Sequence, residues 1–443
     1  MRRKIISGML AMAMAAAMLS GCGSKGGSGQ SAKASDGGKV LNISCWNEEF
    51  QTRLKEHYPG YQEIDKTTGK IGDVTVKWKM TPSTDNAYQN ALDESLLKQK
   101  DAAADDKIDI FLVEADYALK YVNTDYTLDV EKELGISADK LSKQYQYTKD
   151  IVTDSKGNLK GVSWQACPGA MIYRRDVAKK VFNTDDPKKI QEYVKDWDTF
   201  KQTAATLKKA GYHTTSSTND TYRVFSNNVS SKWVVDGKIN IDEQIMNWVK
   251  LSKEMFDQKY TETYELWSGD WQKGFTSASD VFCYFGPAWF IDFTLGGHDL
   301  DGKWAATDGP QSFYWGGSWI CGANGTDNKE LVKNIIETMT CDEKVMTEFV
   351  KKNNEFVNNK SAMQTMAEDK GYSSKILGGQ NPLGMFCTGA DKINLNNLTP
   401  YDAGCNEEFQ KAMKDYFEGH QTLEAALDMF YKNVETKYPE LKH

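Results

Sequence analysis

Three strand-like runs near the start of the chain constrain its fold more tightly than any other feature. Residues 40–44 read V-L-N-I-S, residues 74–80 read V-T-V-K-W-K-M and residues 108–113 read I-D-I-F-L-V; each has the length and β-branched content of a strand. Over residues 85–100, Tyr88, Ala91, Leu92 and Leu96 recur at helical spacing, with Ser83 or Thr84 available as N-cap. Alternating strands and helices predict an α/β fold built on a parallel sheet with right-handed crossovers. In such sheets a ligand binds outside the carboxyl ends of the strands. Here those ends carry Trp46, Asn47 and Glu48, then Ser83, then Glu114 and Asp116, so an aromatic ring and several carboxylates are expected along one rim.

A later segment adds aromatic surface. Residues 304–322 read W-A-A-T-D-G-P-Q-S-F-Y-W-G-G-S-W-I-C-G and follow neither the helical period nor strict alternation. The expectation is an irregular turn in which Phe313, Tyr314, Trp315 and Trp319 crowd around Gly316, Gly317 and Ser318. A Gly pair lets backbone approach a ligand, and flat rings with a polar tip suit a concave small-molecule site. The competing reading makes the same rings core filling at the start of a strand. Residues 265–293 are also dense in aromatics, and 281–285 reads as a buried strand ending at Gly286-Pro287. Trp267, Trp271 and Trp319 fit core and cleft alike. Helices are expected after the caps Asp196 and Asp242, from Asp327, and through most of the remainder, including 409–417 and 423–438.

At 443 residues the chain has room for two domains, at roughly 100–200 residues each. A net charge of −8, with no Lys/Arg cluster interleaved with aromatics, argues against a nucleic-acid partner. Arg2, Arg3 and Lys4 precede an apolar run over residues 5–19, which closes on Leu19-Ser20-Gly21-Cys22. That is the pattern of an export signal with a bacterial lipobox, so cleavage before Cys22 and lipid attachment to its sulfur are expected. The Gly/Ser-rich residues 22–38 then form a tether. A body held at the extracellular face of the cell membrane by lipid alone follows, since no other run approaches the roughly 18 apolar residues of a span. Seven further cysteines stand at wide spacings without C-x-x-C, as expected of buried thiols rather than a disulfide framework or zinc site.

Catalytic constellations are missing. Ile320 breaks the G-x-S-x-G pattern around Ser318, there is no phosphate-cradling G-x-x-x-x-G-K-[ST], and the five His lie far apart without metal-like spacing. Glu48 with Glu114 is the one carboxylate pair that a surface glycosidase could use. No enzyme activity, cofactor or metal is expected.

With these features assembled, the mature chain resembles the extracellular solute-binding proteins of bacterial ABC importers, in their maltose-binding-protein-like carbohydrate branch. Three stretches carry the resemblance: L-N-I-S-C-W-N-E-E-F (41–50), G-V-S-W-Q-A-C-P-G-A-M-I-Y-R-R-D (161–176) and G-P-Q-S-F-Y-W-G-G-S-W-I (309–320). The resemblance implies a two-lobe periplasmic-binding-protein-like fold with a hinge and a central ligand cleft. It implies lobes of 39–155 with 294–340 and of 156–293 with 341–443. It also implies a monomer that captures an oligosaccharide and delivers it to permease subunits. Trp46, Trp164, Tyr173, Trp289, Tyr314 and Trp315 are candidates to offer faces to a sugar ring. Asn47, Glu48, Ser83, Glu114, Asp116 and Gln165 are candidates to bind its hydroxyls. The rival ligand is a polyamine or other small cation, which the same acids and rings would also suit.

Overall fold

The computed structural model describes residues 38–443; the export-signal pattern, Cys22 and the tether up to residue 37 lie outside the described residues. Twelve strands follow in chain order: β1 (Val40–Cys45), β2 (Tyr61–Asp65), β3 (Thr68–Ile71), β4 (Val74–Met80), β5 (Ile110–Glu114), β6 (Val162–Ser163), β7 (Gly169–Arg174), β8 (Val234–Val235), β9 (Lys238–Ile239), β10 (Cys283–Pro287), β11 (Trp304–Thr307) and β12 (Ser318–Gly322). The three strands expected from the opening pattern lie side by side. β1 runs parallel to β4 on one side and to β5 on the other, with Ile43 opposite Trp78 and Ile110.

The full sheet is mixed, in the order β2-β3-β4-β1-β5-β12-β6. Two additions were not legible in the sequence pattern. The β2–β3 hairpin precedes β4, and β2 gives no alternation signal because four of its five residues face solvent. β12 and β6 close the far edge, β12 antiparallel to β5 and β6 antiparallel to β12. A second sheet, β10-β7-β11, is antiparallel throughout. The segment 304–322 is therefore not one turn. It is a strand of the small sheet, an irregular connection and a strand of the large sheet.

The buried residues form two cores, and the small sheet lends side chains to both, Ile172 and Trp304 to the first and Tyr173 and Phe285 to the second. Ile43, Phe111, Trp164 and Trp319 belong to the first; Tyr173, Phe200, Trp248 and Phe409 belong to the second. Helices Lys329–Thr340, Glu343–Asn353, Lys360–Glu368 and Leu383–Ala390 bury Ile336, Phe349, Met363 and Phe386 in the first core. Helices Asp402–Phe417 and Leu423–Lys437 bury Phe409 and Phe430 in the second. Residues 341–443 are thus shared between the two cores, and β11, within 294–340, pairs in the small sheet while Trp304 and Ala306 pack in the first core. The seven cysteines among the described residues are free, five of them buried. No described helix is long and apolar enough to cross a membrane.

Trp248 anchors the second core from the helix Glu243–Asp257: it is fully buried, meets Tyr222, Phe409 and Phe417, and donates to the Thr218 carbonyl at 3.0 Å. Trp248→Ala removes that packing and the indole bond, leaving the carbonyl its bond from the Thr221 hydroxyl, so a loss of about 3–5 kcal/mol is expected. Urea unfolding followed by fluorescence checks it; an unchanged midpoint would contradict the packing.

Candidate functional site

The parallel strands deliver their carboxyl ends to one place. Beyond β1 the chain turns through Trp46, Asn47 and Glu48 into the helix Glu49–His57, with Asn47 Oδ1 accepting the Glu49 N–H at 3.1 Å. Ser83 follows β4 and Glu114 ends β5. These residues line one wall of a cavity of about 920 Å³. Gln165, Trp267, Trp289, Asp292, Phe293, Trp315 and the loop at Asn354 and Glu355 complete it. Ser83, expected as a helix cap, makes no capping bond.

Aromatic rings form the opposite wall. Trp267 and Trp289 lie nearly parallel, with centroids 6.4 Å apart and planes at 17°. Trp315 meets Trp289 edge-on at 5.4 Å, and its carbonyl accepts the Trp289 indole N–H at 3.1 Å. Gly316 and Gly317 follow with φ of +77° and +107°, which favours residues without a Cβ. A Cβ at Gly316 would meet the Trp289 indole at 3.4 Å, an ordinary contact, so it is the backbone conformation rather than crowding that favours glycine there. Trp267 itself has a φ of +71°, rare for a large side chain, and is 45% exposed; Phe293 is 78% exposed. Trp46 stands at the carboxylate-bearing side, edge-on to Tyr88 and Tyr117.

The polar groups are held by one another. Gln165 donates to Glu49 Oε1 at 2.7 Å and accepts the Ser318 N–H at 3.2 Å, joining the first helix to β12. Arg53 Nε donates to Glu355 Oε1, and Asn354 Nδ2 donates to Asp292 at 3.2 Å. Burial, and then repulsion from Asp116, push the Glu114 carboxyl up to about 8, against the pull of Arg223 and the Asp116 N–H. Burial works the same way on Asp116, but there the Arg223 guanidinium wins and holds the carboxyl below its ordinary range. Arg223 grips Asp116 with two bonds of 3.0 and 2.6 Å and lies 5.3 Å above the Trp315 ring. Asp116 comes from the end of the large sheet and Arg223 from the helix Tyr222–Ser226, whose neighbours fill the second core.

The sequence-predicted residues separate into three groups. Trp46, Asn47, Glu48, Ser83, Glu114, Gln165, Trp289 and Trp315 line the large cavity together. Asp116 and Tyr314 line a neighbouring cavity of about 440 Å³, with Arg223 and Asn406. Trp164 and Tyr173 reach neither: Trp164 is fully buried and stacks on Phe50 at 5.3 Å, and Tyr173 is buried, its hydroxyl donating to the Asp185 carbonyl at 2.8 Å. Both are core residues, against the expectation of ring-facing surfaces. Glu49, Arg53, Asp292, Phe293, Asn354 and Glu355 were missed, and Trp267, which fitted core and cleft alike, lines the cavity. Glu49 was signalled by its place beside Glu48, and Trp267 by the aromatic-rich stretch, but nothing local marks Glu355. The cluster with metal-like spacing among the described residues is Asp415, Glu418 and His420, and none of these lines the cavity.

A family model described as "Bacterial extracellular solute-binding protein" matches residues 62–374. Among curated proteins none matches this chain. Solved structures do. An extracellular solute-binding protein of family 1 superposes with a TM-score of 0.72 at 17% identity, covering 89% of this chain and 98% of that one. The ABC-transporter-associated binding protein from B. animalis subsp. lactis Bl-04, in complex with beta-1,6-galactobiose, gives 0.66 at 16% identity, covering 91% and 100%. The sugar-binding protein MalE from Xanthomonas citri gives 0.66 at 14% identity, covering 90% and 97%. These likenesses establish the two-lobe binding-protein fold.

The raised Glu114 carboxyl has a measurable consequence. Its folded form keeps a proton that the unfolded chain releases near its ordinary value, so its contribution to stability is complete at low pH and is lost as pH rises to about 8. Relative to Glu114→Gln, the wild type is expected to lose melting temperature between about pH 5 and pH 9 and then level off. Parallel melting curves for the two proteins would contradict this environment.

Proposed function

The chain belongs to the bacterial extracellular solute-binding proteins, and from that premise we propose that it captures a sugar or oligosaccharide between its two lobes and delivers it to the permease subunits of an ABC importer. The observation that carries this reading is the composition of the large cavity. Trp267, Trp289 and Trp315 give rigid faces of the kind that cover the apolar C–H face of a pyranose. Asn47, Glu48, Glu114 and Gln165 give amides and carboxylates for a belt of hydroxyls. The bound sugars of structural neighbours, beta-1,6-galactobiose and lacto-N-biose among them, support the same class of ligand. The protein acts by binding alone, as a monomer, with no catalytic step.

The same proposal covers address. Lipid on Cys22 holds the body at the extracellular face of the cell membrane, and the Gly/Ser-rich tether gives it reach. Expressed in a bacterial host, the wild type is expected in the membrane fraction and Cys22→Ala in the soluble extracytoplasmic fraction. Equal partitioning of the two would remove the anchor.

Capture is tested by calorimetric titration of the purified protein with a panel of oligosaccharides. Saturable binding without product formation is expected. Trp315→Ala and Trp289→Ala each should cost about 2 kcal/mol, roughly thirtyfold in Kd. Appearance of cleaved product, or unchanged affinity in both variants, would overturn the reading.

A further inference from the structure

The smaller cavity, of about 440 Å³, shares no lining residue with the large one. The chain divides the two at consecutive positions, with Tyr314 on the wall of the smaller and Trp315 on the wall of the larger. None of the side chains assigned to capture lines it.

Its charged groups are mostly engaged. Arg223 holds Asp116 with two bonds, Lys120 Nζ donates to Asp93 at 2.6 Å, and Glu440 faces solvent. Asp402 Oδ1 accepts the Thr399 hydroxyl and, at 3.1 Å, the Thr399 N–H, which leaves Oδ2. Its neutral groups are open. Tyr314 is 4% exposed, yet its hydroxyl makes no hydrogen bond among the described residues and is not enclosed. Burial, then Asp116, raise that hydroxyl above its ordinary pKa against the pull of Arg223, and both residues line the same cavity. Two amides are oriented by their oxygens. Asn227 Oδ1 accepts the Tyr314 N–H at 2.7 Å, and Asn406 Oδ1 accepts the Tyr222 hydroxyl at 2.6 Å and the Trp233 indole N–H at 3.0 Å. With both oxygens taken by protein donors, each amide has its NH₂ group left for the cavity. Tyr401 and Tyr438, edge-on at 5.0 Å, add apolar surface.

We propose that the smaller cavity is a second binding site, for a small neutral polyhydroxylated solute the size of one sugar ring. This goes beyond the capture reading and does not depend on it. The NH₂ groups of Asn227 and Asn406 call for acceptors and Asp402 Oδ2 calls for a donor, and a hydroxyl is both. An anion would lie against Asp116 and Asp402, and a cation against Arg223 and the two NH₂ groups, so neither sign is favoured. The volume is toward the low end of what small-molecule sites enclose, which suits a single ring rather than a chain.

The test is calorimetric titration of the purified protein with glucose, galactose and myo-inositol, and with glucosamine and glucuronate as charged counterparts. At least one of the neutral three is expected to bind saturably. Tyr314→Phe, which removes only the hydroxyl, is expected to weaken that binding about fivefold, and Asn406→Asp, which turns the NH₂ group into an acceptor, about tenfold or more. Trp289→Ala, in the large cavity, is expected to leave it unchanged. Tighter binding of glucosamine or glucuronate overturns the neutral class. Binding that is lost in Trp289→Ala and intact in the other two variants belongs to the large cavity, which overturns the second site and leaves capture standing. Binding of none of the five overturns the proposal outright.

Discussion

Two segments that carry the chain between the sheets are hydrogen-bonded to each other, and the cavity depends on that pairing. Gly169 N–H donates to the Phe313 carbonyl at 2.7 Å, and Trp315 N–H donates to the Cys167 carbonyl at 3.2 Å. Pro168 and Tyr314 face one another between them. Each segment leaves one sheet and enters the other: 164–168 joins β6 to β7, and 308–317 joins β11 to β12. Because they are antiparallel partners, they cannot move independently without exposing buried backbone donors and acceptors. Trp315 rides on this pair and packs against both cores. A rotation of one core relative to the other would thus move Trp315 and the Gly316-Gly317 turn at the cavity wall.

Against this shared backbone, the Asp116–Arg223 pair contributes orientation more than stability. Both side chains keep solvent contact, at 40% and 26% exposure, and a partly exposed ion pair is worth on the order of 0–1 kcal/mol. Its geometry is nevertheless restrictive. Two parallel N–H to oxygen bonds fix the guanidinium plane, and the same group sits over the Trp315 ring. The contact therefore couples the end of the large sheet, the helix Tyr222–Ser226 and the crossing pair at one point. Both residues line the smaller cavity, while the Trp315 ring beneath Arg223 lines the larger one.

How much of this was readable from the sequence follows from how local each signal is. β1, β4 and β5 announce themselves by composition and length, and their order implies parallel pairing; Glu48, Ser83 and Glu114 were then placed by a rule about strand ends, which holds whatever the side chains do next. Trp164 and Tyr173 lie in equally conspicuous runs. Strand direction alone does not tell which face is core, and the stack of Trp164 on Phe50 and the bond from Tyr173 to Asp185 are tertiary facts. Glu355 and Asp292 are the opposite case. Glu355 reaches the cavity because a helix ends at Asn354 in the left-handed region and turns the chain back toward Gln165, where Val357 bridges it, and Asp292 reaches it from the short helical segment Ile291–Leu295. No spacing in the sequence carries that information. The β2–β3 hairpin was hidden for a simpler reason, since a solvent-facing edge strand has no reason to alternate.

The aromatic wall is held in a state that costs free energy without a partner. Trp267 sits at a positive φ, a conformation worth about 1–3 kcal/mol of strain for a non-glycine residue, and nearly half of it faces solvent. Phe293 is more exposed still. Covering about 100 Å² of such surface returns on the order of 2.5 kcal/mol, comparable to that strain. Trp164, Trp248 and Trp304 are fully buried, so the folding core has no shortage of places for aromatics. Two exposed rings on one cavity wall are hard to account for by folding alone. A guest with an apolar face would cover both rings at once and offset the strain at Trp267.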